Sequence, residues 1–348
     1  MSRLSRAETQ ARNRARVLAA ARAEFAERGY RDAKIDLIAE RAELTRGAVY
    51  SNFPGKRALY LAVLAEDVSR QPTFFRPGAT AAEALGSFAR AWVTRAADER
   101  SLVLADAELR PAFTQLLALN ALLLGLALET HHPVRHPPAR LVRLASTVLT
   151  TLHGASQLAG TAPGFVEPFD VISACEQLAE LPLNDFWAPP QPMPEPLSAN
   201  GSWSPPEATD LISGDPFRPA DGVVAVLGLH RLAAAEQAIR GNAEATVVLV
   251  TSQPAEFGPL VRLVVGELGA CLRQAFPRSD WPNLRVVFDE SVAAAAGVLA
   301  VSDESEVAVR VADGRIVARA EGPGAVAAIA RSLIVAETDG GTVPGKAG

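Results

Sequence analysis

Apolar residues recur at two different periods along this chain, three to four residues apart over the first half and two apart over much of the last third. In the opening stretch, 3–71, Ala15, Leu18, Ala19, Ala21, Phe25 and Ala26 fall at helical spacing, and Gly29 supplies a C-terminal stop. The pattern predicts a second short helix over 33–41, with Ile35, Ile38 and Ala39 on its buried face. Thr45 is placed to cap a third helix running through Tyr50. Pro54 and Gly55 then break the chain, and a fourth helix carries Leu59, Leu61, Val63 and Leu64.

From 78 to 187 the pattern stays helical. Leu85, Phe88, Ala89 and Trp92 make one stripe. Phe113, Leu116, Leu117, Leu119, Leu123, Leu124 and Leu126 make a helix apolar nearly all round, which implies deep burial. Two more helices are predicted over 139–160 and 168–181. The stretch 189–221 is Pro-rich without a sustained period, including Pro189, Pro190, Pro192, Pro194 and Pro196, and reads as an extended, semi-rigid linker.

Beyond 222 the period shortens. β-Branched runs at 223–227, 246–250, 284–288, 307–311 and 316–320 alternate with helical segments at 232–239, 256–276, 292–296 and 324–334. Asp313-Gly314 between the last two runs is a hairpin signal. The order β-α-β-α-β-α-β-β-α implies an α/β sandwich with a mixed sheet. The expected organisation is therefore a helix-turn-helix domain at 1–71, a helical domain at 72–188, a linker at 189–221, an α/β domain at 222–336 and a flexible tail at 337–348.

Composition adds little until charge is mapped. The 348 residues carry a net charge of −5, but residues 1–60 hold 13 Arg or Lys against 7 Asp or Glu, a net of +6, leaving −11 for the rest. A basic head on an acidic body is the distribution of a protein that meets a polyanion at one end. No run of about 18 uninterrupted apolar residues occurs, and the strongest block, 116–128, is interrupted by Asn120, so no membrane span is expected. The Arg-rich start lacks the apolar core of a secretory signal. Cys175 and Cys271 form no CxxC pair. A reducing cytoplasm is expected.

The four short N-terminal helices have the logic of a helix laid in the DNA major groove and braced by its predecessor. Helix 33–41 is the brace and 45–50 the reader, joined by the turn Ala42-Glu43-Leu44. Leu44 and Val49 anchor the reader to Ile35, Ile38 and Phe25. Thr45, Arg46, Gly47, Tyr50 and Ser51 are left outward. Residues 14–64 resemble the DNA-binding domain of the TetR family of bacterial regulators. The resemblance rests on Phe25-Ala26-Glu27-Arg28-Gly29-Tyr30, Ile35, Ile38-Ala39, then Thr45 through Phe53 without gaps, and Lys56 with Leu59.

That resemblance implies a role for each matching position. Thr45 and Arg46 meet phosphate and base edge, Arg46 being the best candidate for the base. Tyr50 hydrogen-bonds phosphate, with Ser51 and Asn52 at the rim, and Lys56 clamps a phosphate at the next helix's positive end. Lys34 is a weaker phosphate candidate, and Arg12 and Arg16 add non-specific contacts. Two positions depart from the pattern. Ala33 stands where a hydroxyl residue usually opens the brace, leaving Asp32 to cap. Glu43 stands where the turn usually has Gly, and a left-handed Glu costs about 1 kcal/mol.

The resemblance also implies an all-helical dimerisation and effector domain, with 139–160 and 168–181 forming the interface of a homodimer. Trp92, Phe113, Leu116, Leu123 and His153 are candidates to line a pocket for a small hydrophobic effector, although each also reads as plain core. His131, His132 and His136 lie near prolines without a Cys or carboxylate set, so no metal is expected. The α/β region resembles, through element order and its ending, a thioredoxin-like fold. An active member places a cysteine after strand 246–250, and Thr251-Ser252-Gln253-Pro254 stands there instead.

The expected fold is thus an all-α helix-turn-helix domain plus an all-α dimerisation and effector domain, followed by an α/β thioredoxin-like domain. The expected function is a DNA-binding repressor that binds a palindromic operator on double-stranded DNA as a dimer and is released by an effector, with no catalytic residues, cofactor or metal. Two other classes stay open: a regulated thioredoxin-like redox enzyme, and an interaction scaffold that no longer reads DNA.

Overall fold

The computed structural model describes residues 5–70, 75–95, 103–104, 106–131, 140–183, 193–239 and 244–331. The chain divides into two compact units. One comprises Met1–Thr114, Thr147–Leu181 and Gln253–Ser279; the other comprises Gln115–Ser146, Pro182–Ser252 and Asp280–Gly348.

The first unit opens with α1 (Arg6–Asp32), started by a reciprocal capping box between Ser5 and Glu8. Gly29, at φ 69°, breaks the helical path before its end. Val17, Leu18, Ala21 and Phe25 are buried, while Ala15, Ala19 and Ala26 are exposed, so the buried stripe is narrower than the apolar pattern predicts. Then follow α2 (Ile35–Arg41), α3 (Arg46–Tyr50), α4 (Lys56–Arg70) and α5 (Ala81–Val93).

Two 20-residue helices come next in the chain, α6 (Arg110–Glu129) and α7 (Val142–Thr161), and then α8 (Pro168–Leu178). By length and composition α6 is long and apolar enough to cross a membrane, a longer segment than the block interrupted at Asn120; 61% of its apolar window is buried in the protein. Residues 189–192 of the expected linker lie outside the described residues, as do His132 and His136. His131 Nε2 lies 3.1 Å from an Asp280 carboxylate oxygen, and no metal-ligating group of three is found among the described residues.

The second unit is built on a six-stranded mixed sheet of order β1-β8-β7-β4-β5-β6. Its strands are β1 (Leu197–Ser202), β4 (Gly222–Gly228), β5 (Ala245–Val250), β6 (Leu284–Val287), β7 (Glu306–Ala312) and β8 (Arg315–Glu321); β2 (Ala208–Thr209) and β3 (Pro216–Phe217) pair separately. Strands β4, β5 and β6 run parallel, whereas β7, β8 and β1 join through antiparallel pairs. β5 is buried at every position, as expected where both faces of a strand are covered. Val224, Val226, Val248, Val250, Val307, Val309 and Val311, at period two, fill one core cluster. The β7–β8 turn has positive φ at Asp313 and Gly314, the twist a two-residue hairpin requires.

The described part of the Pro-rich stretch is not the bare linker its composition predicts. Strand β1 adds to the sheet edge against β8. Trp203 is buried and donates through Nε1 to the Pro219 carbonyl at 3.0 Å. Asp210, also buried, accepts from the backbone N–H groups of Ile212, Ser213 and Val286 and thereby covers the β6 edge. The pairing partner of β1 lies more than a hundred residues downstream, so no local period announces it.

Between β5 and β6 the sequence runs through α10 (Pro254–Ala275), which follows the short α9 (Ala235–Ala238) and precedes α11 (Glu290–Ala295). Pro254 opens α10, where a missing N–H costs nothing. The helix belongs to the first unit and packs along α4 and α5, while α5 also packs on α8. Leu260, Val261, Leu263, Val265, Leu268 and Leu272 are all fully or nearly fully buried. Burial of such side chains contributes about 1.5–3 kcal/mol each before entropy is counted. Cys271, within α10, has no exposed surface, and the Arg95 guanidinium lies 3.9 Å from its sulfur.

Candidate nucleic-acid interface

The site begins with how α2 is held. No side chain caps it from the N-cap position, Lys34, and Asp32 does not take the expected role. The backbone N–H of Lys34 points instead to Glu24 Oε1 of α1 at 3.4 Å. Glu24 is fully buried, and its charge is met by Arg28 at 3.2 Å and Arg41 at 3.4 Å. A buried carboxylate is tolerated only when paired in this way. Sequence reasoning passed over Glu24; a Glu on the buried stripe between Ala21 and Phe25 was the available signal.

The turn after α2 reverses the chain at Glu43, whose φ is 52°, the left-handed conformation expected there. Its N–H bonds the Glu40 carbonyl, and that of Leu44 bonds the Ala39 carbonyl. The Glu43 carboxylate, largely exposed, pairs with Arg16 of α1 at 2.7 Å. Arg16, expected among the phosphate contacts, is thus already engaged within the protein, while Arg12 is exposed.

Thr45 caps α3, its hydroxyl accepting from the Ala48 N–H at 3.2 Å. Val49 is buried and Phe53 is too, whereas Leu44 and Ile35 are half-buried. With Val49 inward, Thr45, Arg46, Gly47, Tyr50 and Ser51 are all exposed, Tyr50 at 42%. A Cβ on Gly47 would meet only the Thr45 hydroxyl, at 3.9 Å, so packing within the protein does not require glycine there. Ser51 and Asn52 both turn back to donate to the Ala48 carbonyl, at 2.9 and 2.8 Å, closing the C-terminus of α3. Arg14 supports this corner, its guanidinium 4.3 Å above the Phe53 ring and donating to the Asn52 carbonyl.

Arg46 has three neighbours. Its Nη1 lies 3.2 Å from Asp36 Oδ1, its Nη2 donates to the Tyr50 hydroxyl at 3.4 Å, and its guanidinium sits 5.5 Å from the Tyr50 ring centre. The hydrogen bond to Tyr50 and the charge of Asp36 raise its pKa further above neutrality. Lys56 opens α4 with its ammonium donating to the Arg31 carbonyl at 2.9 Å and lying 5.0 Å from the Tyr30 ring. An ammonium has three donors, so two stay available. Lys34 is exposed.

The residue after Lys56 is turned the other way. Arg57 donates to Asp106, Glu108 and Glu256, with Glu256 on α10. Burial works against its charge, but the bonds to Glu108, Glu256 and Asp106 outweigh it and raise the guanidinium's pKa. No sequence pattern pointed to this cluster.

Of the five residues expected to line an effector pocket, the structure brings three together. Trp92 and His153 meet edge to face with centroids 4.8 Å apart, and Phe113 meets His153 edge to face at 6.0 Å. The Trp92 indole N–H donates to Ser156 at 3.1 Å. Leu116 and Leu123 are fully buried on α6.

Residues 17–63 match the family described as bacterial regulatory proteins, tetR family. No curated protein matches the chain. Similar solved structures include a TetR transcriptional regulator from Rhodococcus sp. RHA1, 18% identical, covering 50% of this chain and 96% of that one with a TM-score of 0.33. Another is the transcriptional regulator FadR from Bacillus subtilis in complex with stearoyl-CoA, 16% identical, covering 47% of this chain and 96% of that one with a TM-score of 0.31. The helices that present Arg46 and Tyr50 to solvent lie within the segment that matches the tetR family of bacterial regulatory proteins.

Proposed function

We propose that the chain is a cytoplasmic transcription repressor that reads double-stranded DNA through α3. The observation that carries this is the division of α3: Val49 is buried, while Thr45, Arg46, Gly47 and Tyr50 face solvent beside the basic flank of α1. Residues 1–71 act as the DNA-binding domain. One five-residue helix reads too few base pairs for useful specificity, so the protein works as a homodimer on a palindromic site. Exposed Leu158 on α7, Phe165 in the turn after it and Phe169 at the start of α8 support that pairing.

The Trp92–Phe113–His153 cluster is the proposed seat of a small hydrophobic effector that releases the DNA. The α/β region, 222–336, serves as an accessory module apart from α10, which belongs to the first unit. Its thioredoxin-like reading rests on element order and on its ending, and Ser252 follows β5 where an active member places a cysteine.

Selection of bound sequences from a random duplex pool tests the proposal. Recovery of a two-fold symmetric motif, lost with Arg46→Ala or Tyr50→Ala, is the expected result. A chain that enriches no sequence, or variants that enrich the same one, would overturn it.

A further inference from the structure

Resting on that reading of α3, we propose that Asp36 is a positioning residue that holds Arg46 for guanine and keeps it off the phosphate backbone. Asp36 lies on α2, ten residues before Arg46, and its two carboxylate oxygens face Arg46 Nη1 at 3.2 and 3.5 Å. The Tyr50 hydroxyl takes Nη2 at 3.4 Å from the other side. The guanidinium is a rigid plane with five N–H donors. Holding it at two ends fixes the plane's direction at the outer face of α3 and leaves three donors unused.

Those donors suit one base edge. Guanine offers two adjacent acceptors, O6 and N7, in the major groove, whereas adenine offers one acceptor beside a donor. A free arginine pays rotamer entropy on binding; one already held pays less, so the gain falls selectively on the matched base. The Asp36 carboxylate retains lone pairs that accept from a cytosine amino group in the same groove.

Charge acts in the same direction. Asp36 is 66% exposed and Arg46 61%, so the pair sits at the surface with no net charge. A nearby phosphate is repelled by Asp36 as it is attracted by Arg46. The pair therefore contributes little to the counterion release that drives non-specific binding. Asp36 lowers indiscriminate affinity while it sharpens base reading.

The experiment uses the full chain, the duplex selected from the random pool, single-base variants of it and a scrambled duplex. Asp36→Asn keeps the shape and removes the charge, and an unchanged unfolding midpoint confirms that it folds. Discrimination between guanine and adenine at the position lost with Arg46→Ala is expected to fall about 2- to 5-fold, the scale of an exposed ion pair. Binding to the scrambled duplex is expected to hold or rise, with a salt dependence steeper by about 0.9 in log–log slope as Arg46 moves to phosphate. Asp36→Glu is expected to restore part of the discrimination. If Asp36→Asn shifts all duplexes by the same factor, or changes none, the proposal fails while the reading of α3 stands. If the unaltered chain enriches no duplex, that reading fails with it.

Discussion

Arg57 on α4 and Glu256 on α10 form an ion pair of 2.6 Å across 199 residues of sequence. Both side chains are mostly buried, at 18% and 16% exposure, while Glu108, which shares the same guanidinium, is 75% exposed. Removing one partner from a desolvated pair costs far more than removing one from a solvated pair. Glu256→Gln is expected to destabilise the protein by about 1–3 kcal/mol, and Glu108→Gln by less than about 0.5 kcal/mol. Urea unfolding of the two variants side by side checks the difference. Equal losses would mean that α10 has no special hold on α4.

Glu43 sets two effects against each other. A left-handed backbone at a non-glycine residue costs about 1–2 kcal/mol, and the exposed pair with Arg16 returns about 0.2–1 kcal/mol. The strain is the larger. Glu43→Gly is expected to hold or raise the unfolding midpoint and to release Arg16, steepening the salt dependence of DNA binding. A clear drop in midpoint would show that the Arg16 pair outweighs the strain.

Gly47 separates folding from binding. The nearest atom to an added Cβ is 3.9 Å away, and alanine is the better helix former by about 1 kcal/mol. Gly47→Ala is therefore expected to fold at least as well as the parent. On DNA the same methyl projects from the outward face, and affinity for the selected duplex is expected to fall about tenfold. Gel shift and thermal melting on one preparation test both halves.

Burial, reinforced by the charge of Glu176, pushes the Cys175 thiol up to about 12. The unfolded thiol ionises near 8.5, so the native state is undisturbed below that pH and loses stability as pH climbs from there toward 12. Cys175→Ala is expected to flatten this alkaline decline in unfolding midpoints. At pH 8 neither Cys175 nor Cys271 is expected to react with a thiol reagent until the protein unfolds. Rapid labelling of native Cys271 would reopen the redox-enzyme reading.

Much of α1 to α4 was legible because its determinants are local. Thr45 sits one residue ahead of the helix it caps, Gly29 at the break it makes, and Val49 on the buried face that its spacing requires. Long-range pairings were not legible in that way. β1, Leu-Ser-Ala-Asn-Gly-Ser, has no β-branched residue and becomes a strand because β8 lies beside it. Glu24 replaces Asp32 at the start of α2 by reaching across from another helix. The pairing of Arg46 with Asp36 joins a residue that the sequence singles out to an exposed carboxylate that it does not.

The placement of α10 has a consequence in time. The segment 253–279 completes the unit that carries α3 and α4, yet it leaves the ribosome about 199 residues after Arg57 does. At bacterial and eukaryotic synthesis rates of 5–20 residues per second, that delay is on the order of 10–40 s. Until then α4 and α5 lack the wall that Leu260, Leu263 and Leu268 provide. Completion of that wall therefore waits until translation has passed the sheet strands β4 and β5. An interrupted nascent chain would contain the whole of α3 and still, on the proposed function, hold it in an incompletely packed unit.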